Sequence, residues 1–277
     1  MTMTDRERIA ELLASLRLHG MAQALERELE RVDQQPGPPA ELLYRLLLEE
    51  ERYRRERSLA NRIERAKLPW PWTLETFPFE RQPTLDRAHV QSLASLEFVR
   101  RADNLVLIGN PGTGKSGIAI GLLRQACLNG YRARFYNAQD LLDELYASLA
   151  DRSTAKLLNR LARYDLLLID ELGYLTLKPE QSNAFFKLMD QRYQRVSTVI
   201  TTNLPFDAWY ELFGKKTLVD ALLDRLRHHC ITIEIDGPSL RVPEPDPEPD
   251  PQPGSPTPAK KRRASKKTPQ HKPARQD

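Results

Sequence analysis

Gly109-Asn-Pro-Gly-Thr-Gly-Lys-Ser116 fits the pattern G-x-x-x-x-G-K-[ST] at every fixed position. Glycine at 109, 112 and 114 lets backbone N–H groups curl around a phosphate, with Asn110, Pro111 and Thr113 completing the turn. Lys115 is long enough to reach β- and γ-phosphate oxygens, and the Ser116 hydroxyl suits Mg²⁺. The turn opens a helix, whose first N–H groups lack partners and favour an anion. Farther along, the apolar run Asp165-Leu-Leu-Leu-Ile-Asp-Glu171 ends in two carboxylates. Alone, such a pair is a strand capped by a solvated turn. Behind a phosphate loop it reads as Asp170 organising Mg²⁺, mostly through water, and Glu171 polarising an attacking water. The implied chemistry is Mg²⁺-dependent hydrolysis of a nucleoside triphosphate such as ATP.

Strands must hold these loops. Apolar or β-branched runs at 104–108, 132–136, 165–170, 197–203 and 231–235 alternate with helical patterns at 115–129, 138–149, 153–163, 179–195, 206–212 and 218–229. That alternation requires a parallel sheet with helices on both faces, an α/β P-loop core of five strands. Asn203 closes the fourth strand, either as a turn residue or as an amide that holds the attacking water or feels the γ-phosphate. Arg225 sits on the helix before the last strand. It either makes a local ion pair or, if subunits form a ring, reaches a neighbour's γ-phosphate as a finger.

Upstream, apolar positions Ile9, Leu12, Leu13, Leu16, Met21, Leu25 and Leu29 predict a helical hairpin over 5–33 with Gly20 at its break. After the turn Gln34-Gln-Pro-Gly-Pro-Pro39, a helix over 40–67 is apolar early and arginine-rich late, with Arg52, Arg54, Arg55, Arg57, Arg62 and Arg65 among interleaved glutamates. This face is either ion-paired and solvated or a phosphate-facing stripe, in which Arg54, Arg55 and Arg62 are the candidate DNA contacts, with Lys215 and Lys216 of a later loop. Pro69-Trp-Pro-Trp72 ends the helix, and the aromatic residues through Phe79 either stack on a base or anchor a linker to the core. One helix from Thr84 to Arg101 leads to the first strand.

The net charge of +4 hints at nucleic acid only until it is located. Residues 243–277 carry 8 Lys/Arg and 5 Asp/Glu, which leaves 34 against 33 for the rest, a nearly neutral body. Ten of the 21 prolines also fall in that tail, which reads as disordered and partly polyproline; its basic end either touches nucleic acid, acts as a localisation signal or merely solubilises. Two cysteines, Cys127 and Cys230, offer neither a disulfide framework nor zinc spacing. With no signal-peptide core or membrane-length apolar run, the expected place is the cytoplasm, away from membranes. The expected division is 1–68, an all-α N-terminal domain for DNA binding or oligomerisation; 69–83, a linker; 84–242, the ATPase domain; and 243–277, the tail.

From about Ala10 to Arg241 the chain resembles IstB-type ATP-binding proteins, helper ATPases encoded beside the transposase of bacterial insertion sequences. The resemblance rests on Ala66-Lys-Leu-Pro69, Thr73-Leu-Glu-Thr-Phe77, the phosphate loop, Ile169-Asp-Glu-Leu-Gly-Tyr174, Arg192-Tyr193, Thr201-Thr-Asn203, Ala221-Leu-Leu-Asp-Arg-Leu226 and His228-His229. It implies an AAA+ fold of the clade that includes the DnaC helicase loaders. It also implies that Asn203 is a γ-phosphate sensor and Arg225 a finger for the neighbouring subunit. Such proteins are thought to assemble on duplex DNA with ATP, deform it and recruit a DDE-type transposase, which stimulates hydrolysis. A helicase loader is the alternative, and a scaffold that binds ATP without turning it over is a third reading that the intact Asp170-Glu171 pair disfavours. Two features depart from the pattern. Gly117 replaces a larger residue, which suggests close approach of another group, and no room remains after the fifth strand for a helical lid, so that Arg241 is at most a remnant of a lid arginine.

Overall fold

The computed structural model describes residues 4–173, 177–214 and 216–241. Tyr174, Lys215 and the 243–277 tail lie outside the described residues, as does the side chain of Arg227.

Thr4 starts α1 (Asp5–Ser15) with a reciprocal capping box to Glu7. The chain breaks at Leu16-Arg17-Leu18, where Arg17 adopts φ 58°, and α2 (His19–Gln34) follows. Gly20 is therefore not the break but part of the first turn of α2. Its missing side chain admits α3 (Pro39–Ala66): a Cβ there would stand 2.6 Å from the Glu49 carbonyl oxygen and 2.7 Å from Tyr53 Cβ. The close approach also supplies a cap. Glu50 Oε2 accepts from the Gly20 and Met21 N–H groups at 2.7 and 3.2 Å, on a helix whose own Ncap residue, Leu18, bonds nothing with its side chain. Burial opposes the Glu50 carboxylate, yet Arg54 and these two amides outweigh it and hold its pKa below the usual value. We expect Gly20→Ala to force α2 and α3 apart at a cost of about 1–3 kcal/mol, read as a lower thermal midpoint. An unchanged midpoint would show that the helices do not pack this tightly.

The late half of α3 belongs to the sheet. Ala66 is fully buried in the main core, and Arg62 Nε donates to the Cys127 carbonyl at 2.9 Å. Arg54 and Arg55 pair with Glu50 and Glu51 one turn away, so these side chains adopt the ion-paired arrangement. The expected helix from Thr84 to Arg101 is two short ones, α4 (Arg87–Leu93) and α5 (Glu97–Arg100). Leu96 breaks it at φ 58°, a turn that buries Leu96, Phe98 and Val99 together.

The sheet comprises β1 (Asn104–Gly109), β2 (Ala133–Asn137), β3 (Leu166–Asp170), β4 (Ser197–Thr202) and β5 (Cys230–Ile235). Their spatial order is β2-β3-β4-β1-β5, and every neighbouring pair is parallel. Side chains alternate between two cores, as the strand period requires. Leu105, Leu107, Leu166, Leu168 and Val199 face α6 (Lys115–Leu128) and the α3–α5 region. Val106, Ile108, Leu167, Ile169 and Ile200 face α7 (Ala138–Ala150), α8 (Thr154–Leu161), α9 (Pro179–Arg192), α10 (Trp209–Phe213) and α11 (Lys216–His228). Burial on both faces explains why β3 reads as an unbroken apolar run.

Arg192 pins the second layer. Its guanidinium, almost wholly buried, donates to the carbonyls of Leu161, Tyr164 and Ser197 and to the Thr198 hydroxyl; burial pulls its pKa down to about 9. No helix among the described residues is long and apolar enough to cross a membrane.

Candidate functional site

Parallel strands present their C-terminal ends on one edge, and an α/β sheet binds ligands there. The loop after β1 and the carboxylates ending β3 meet at that edge with β4 between them. Ser116 Oγ, in the first turn of α6, donates to Asp170 Oδ1 at 2.8 Å. The two motifs, far apart in sequence, therefore form one site.

Gly112 and Gly114 adopt φ 84° and 95°, open to glycine at little cost. Close approach requires glycine as well. A Cβ at Gly109 would lie 2.4 Å from the Ile235 carbonyl oxygen, one at Gly112 2.2 Å from Ser239 Oγ, and one at Gly114 2.6 Å from the Phe77 ring. A strap of residues 236–241, leaving β5, runs across the phosphate loop. The Leu240 N–H donates to the Gly112 carbonyl at 2.8 Å, Gln82 Nε2 to Pro238 at 2.7 Å and Thr84 Oγ1 to Asp236 at 2.7 Å. No helix follows β5 among the described residues, and Arg241 at the end of the strap lines the pocket.

That pocket holds about 420 Å³. One half is polar, with Lys115, Ser116, Glu171, Asn203 and Arg241; the other is apolar, with Trp72, Phe77, Pro78, Gly117 and Leu240. Phe77 thus both anchors the linker, stacked edge-on against Phe79 in the core, and lines the pocket. Trp72 is more exposed and stacks on Trp70 at 4.7 Å. Gly117 shows no forced approach: a Cβ would meet Trp72 and Phe77 at 3.6 Å, ordinary contact, so the expectation of crowding there is corrected.

The charges suit a phosphate and a cation. Lys115 donates to the carbonyls of Gly109 and Asn110 at 2.8 Å each. Burial pulls its pKa down against the pull of Asp170, and Arg241 adds to the lowering. Burial pushes the Asp170 carboxyl up, opposed by the Thr201 and Ser116 hydroxyls. An anion beside Lys115 and a cation beside Asp170 would each relieve that desolvation, so the donor set fits a Mg²⁺-nucleotide.

Glu171 is held in a constrained turn. It adopts φ 63°, costly for a residue with a Cβ, and its carboxylate is exposed at the pocket. Its N–H donates to Thr201 Oγ1 at 2.9 Å, and its Oε2 accepts from Asn137 Nδ2 at 3.2 Å. Asn137 Oδ1 meanwhile caps α7 by accepting from Gln139 N–H, which orients the amide. Sequence reasoning missed Asn137, although a polar residue between a strand and a helix carries the Ncap signal. It also missed the strap, which has no motif.

Asn203 packs against Gly173, where a Cβ would lie 2.4 Å from Asn203 Oδ1; that oxygen is buried without a hydrogen-bond partner among the described residues. Trp209, fully buried, donates to the Leu204 carbonyl and fixes the turn that carries Asn203. Arg225 stands apart from the pocket lining. It pairs with Asp190 at 2.8 Å, and its guanidinium lies 5.9 Å from the Tyr193 ring centre. Arg54, Arg55 and Arg62 lie on α3, and Lys216 at the start of α11.

The family described as IstB-like ATP binding protein matches residues 11–245. The chain is 36% identical over 233 residues to an ATP-binding protein of insertion sequence IS21 from Pseudomonas aeruginosa, covering 84% of this chain and 88% of that one. It is 34% identical over 239 residues to its counterpart of insertion sequence IS5376 from Geobacillus stearothermophilus, covering 86% and 95%. Among solved structures, the DnaC helicase loader superposes with a TM-score of 0.52 at 21% identity, over 61% of this chain and 99% of that one. AMPPCP-bound DnaA from Aquifex aeolicus gives 0.52 at 22%, over 61% and 51%. The sheet and its flanking helices are thus an AAA+ P-loop fold.

Proposed function

Since the chain belongs to the IstB-like ATP-binding protein family of insertion sequences, we propose that it is a Mg²⁺-dependent ATPase that assembles on duplex DNA, deforms it and recruits the cognate DDE-type transposase. The observation that carries the ATPase reading is the Ser116–Asp170 hydrogen bond, which joins loop and carboxylates beside a pocket with one apolar and one charged half.

ATP enters with its base toward Trp72, Phe77 and Leu240 and its phosphates on the loop from Gly109 to Ser116, against Lys115. Ser116 and Asp170 would hold Mg²⁺, which would supply charge neutralisation on the phosphate oxygens. Glu171 polarises the attacking water, and Asn203 senses the γ-phosphate from the tip of β4. Arg241, carried by the strap, adds a second positive charge on the phosphate side, where no helix follows β5 among the described residues. Arg225 completes the site of a neighbouring subunit, which makes ATP an assembly signal and hydrolysis a release signal. Residues 1–68 serve DNA binding or oligomerisation and 84–242 the ATPase, with 243–277 outside both. With Arg54 and Arg55 in ion pairs and Arg62 on Cys127, DNA contact by α3 requires those partners to be exchanged for phosphates.

Light scattering with and without ATP, Mg²⁺ and a random duplex tests the reading. A large, defined complex is expected only when all are present. A protein that stays small with DNA under every condition would favour the helicase-loader alternative, to which the DnaC-like fold lends support.

A further inference from the structure

Thr201, read from sequence only as part of the Thr-Thr-Asn motif, makes three hydrogen bonds to the carboxylate turn of the proposed ATPase site. Its Oγ1 donates to Asp170 Oδ1 at 2.5 Å and accepts from the Glu171 N–H at 2.9 Å. Its carbonyl accepts from the Leu172 N–H at 2.9 Å. One fully buried residue therefore grips three consecutive residues of the carboxylate turn.

The register explains the arrangement. β3 and β4 pair in parallel up to Ile169 and Ile200, so the next step along the sheet sets Asp170 beside Thr201. Both are nearly inaccessible, Asp170 at 3% and Thr201 at 0% exposure, so the hydroxyl bonds are not exchanged with water. A hydroxyl is needed because one group must donate to a carboxylate and accept from an amide at once. Glu171 sits at φ 63°, and the bonds from the Glu171 and Leu172 N–H groups to Thr201 brace the backbone in that unfavourable region.

Ser116 also donates to Asp170 Oδ1, at 2.8 Å. With Mg²⁺ bound, the Ser116 hydroxyl would be a ligand of the cation, which would leave Thr201 as the hydroxyl donor to Asp170. We infer that Thr201 is a positioning residue: through one hydroxyl it orients the metal-organising carboxylate and the turn that aims the base. This rests on the ATPase reading above.

The test is Mg²⁺-dependent nucleotide affinity, measured by titration of a fluorescent ATP analogue with Mg²⁺ or with EDTA, alongside steady-state phosphate release. In the wild type, Mg²⁺ should tighten binding. Thr201→Val, of the same shape without the hydroxyl, should keep the affinity in EDTA, lose the tightening by Mg²⁺ and turn over roughly 10–100-fold more slowly. Thr201→Ser should restore both, even if it melts lower. Thr198→Val removes another buried β4 hydroxyl, the acceptor of Arg192 Nε, at the far end of the strand; it should lower the melting temperature and leave the Mg²⁺ effect intact. A Thr201→Val protein with wild-type Mg²⁺ tightening and turnover overturns the assignment, as does Thr201→Ser failing to restore them. If the wild type itself gains nothing from Mg²⁺, the ATPase reading beneath it fails instead, and the Thr201 role falls with it.

Discussion

Glu171→Gln should bind ATP as the wild type does and hydrolyse it about 10²–10⁴-fold more slowly, the usual contribution of a general base. The substitution keeps the shape, and a glutamine oxygen still accepts from Asn137 Nδ2, so the turn at φ 63° and its bond to Thr201 survive. Glu171 is exposed at the pocket and outside the bonds Asp170 makes to Ser116 and Thr201, so the substitution leaves those hydrogen bonds in place. Stalled hydrolysis should leave the ATP-dependent assembly on DNA. Two measurements check this: phosphate release in the steady state, and the lifetime of the complex on labelled duplex after dilution into competitor. Turnover within tenfold of the wild type would remove Glu171 from the base role, and rapid release from DNA would break the link between hydrolysis and disassembly.

The parts of this site that a reader of the sequence can find are those whose chemistry is local in the chain. The phosphate loop announces itself because its glycines, lysine and serine must be contiguous, and the carboxylates because they close an apolar run buried on both faces of the sheet. Asn203 and Arg225 stood out by position, at a strand tip and on the helix before the last strand, but position left two readings for each and only the resemblance chose between them. The strap was not, because its fit to the loop depends on Ser239 and Leu240 meeting Gly112 and Gly114 across the fold. Thr201 was hidden for another reason: a threonine in a strand looks like β propensity, and only the pairing of β4 with β3 turns its hydroxyl into a clasp. Gly20 and Gly117 show the same limit from two sides. Both lie within helices, yet a Cβ on one would stand 2.6 Å from the neighbouring helix, whereas on the other it would meet Trp72 and Phe77 at an ordinary 3.6 Å.

Arg225→Ala should cost the DNA-stimulated turnover about 10³-fold or more, as loss of a finger arginine does elsewhere, and leave ATP binding to the single chain intact. The argument is geometric. Arg225 is absent from the lining of its own chain's pocket, so a finger role requires it to reach the pocket of another copy. It lies half-exposed on α11, held by Asp190 and the Tyr193 ring. A surface pair of that kind is worth at most about 1 kcal/mol, so a phosphate dianion can take the guanidinium from Asp190 at little cost. Mixing subunits separates this from damage to the fold. Glu171→Gln chains keep the finger and lack the base, whereas Arg225→Ala chains keep the base and lack the finger. Each alone should be nearly inactive. Mixed in equal amounts, about a quarter of interfaces would join an intact base to an intact finger, and activity should return in that proportion. Recovery requires that the two residues act across an interface; a mixture as inactive as its parts would place Arg225 in its own subunit's structure and leave ATP without a role in joining neighbours.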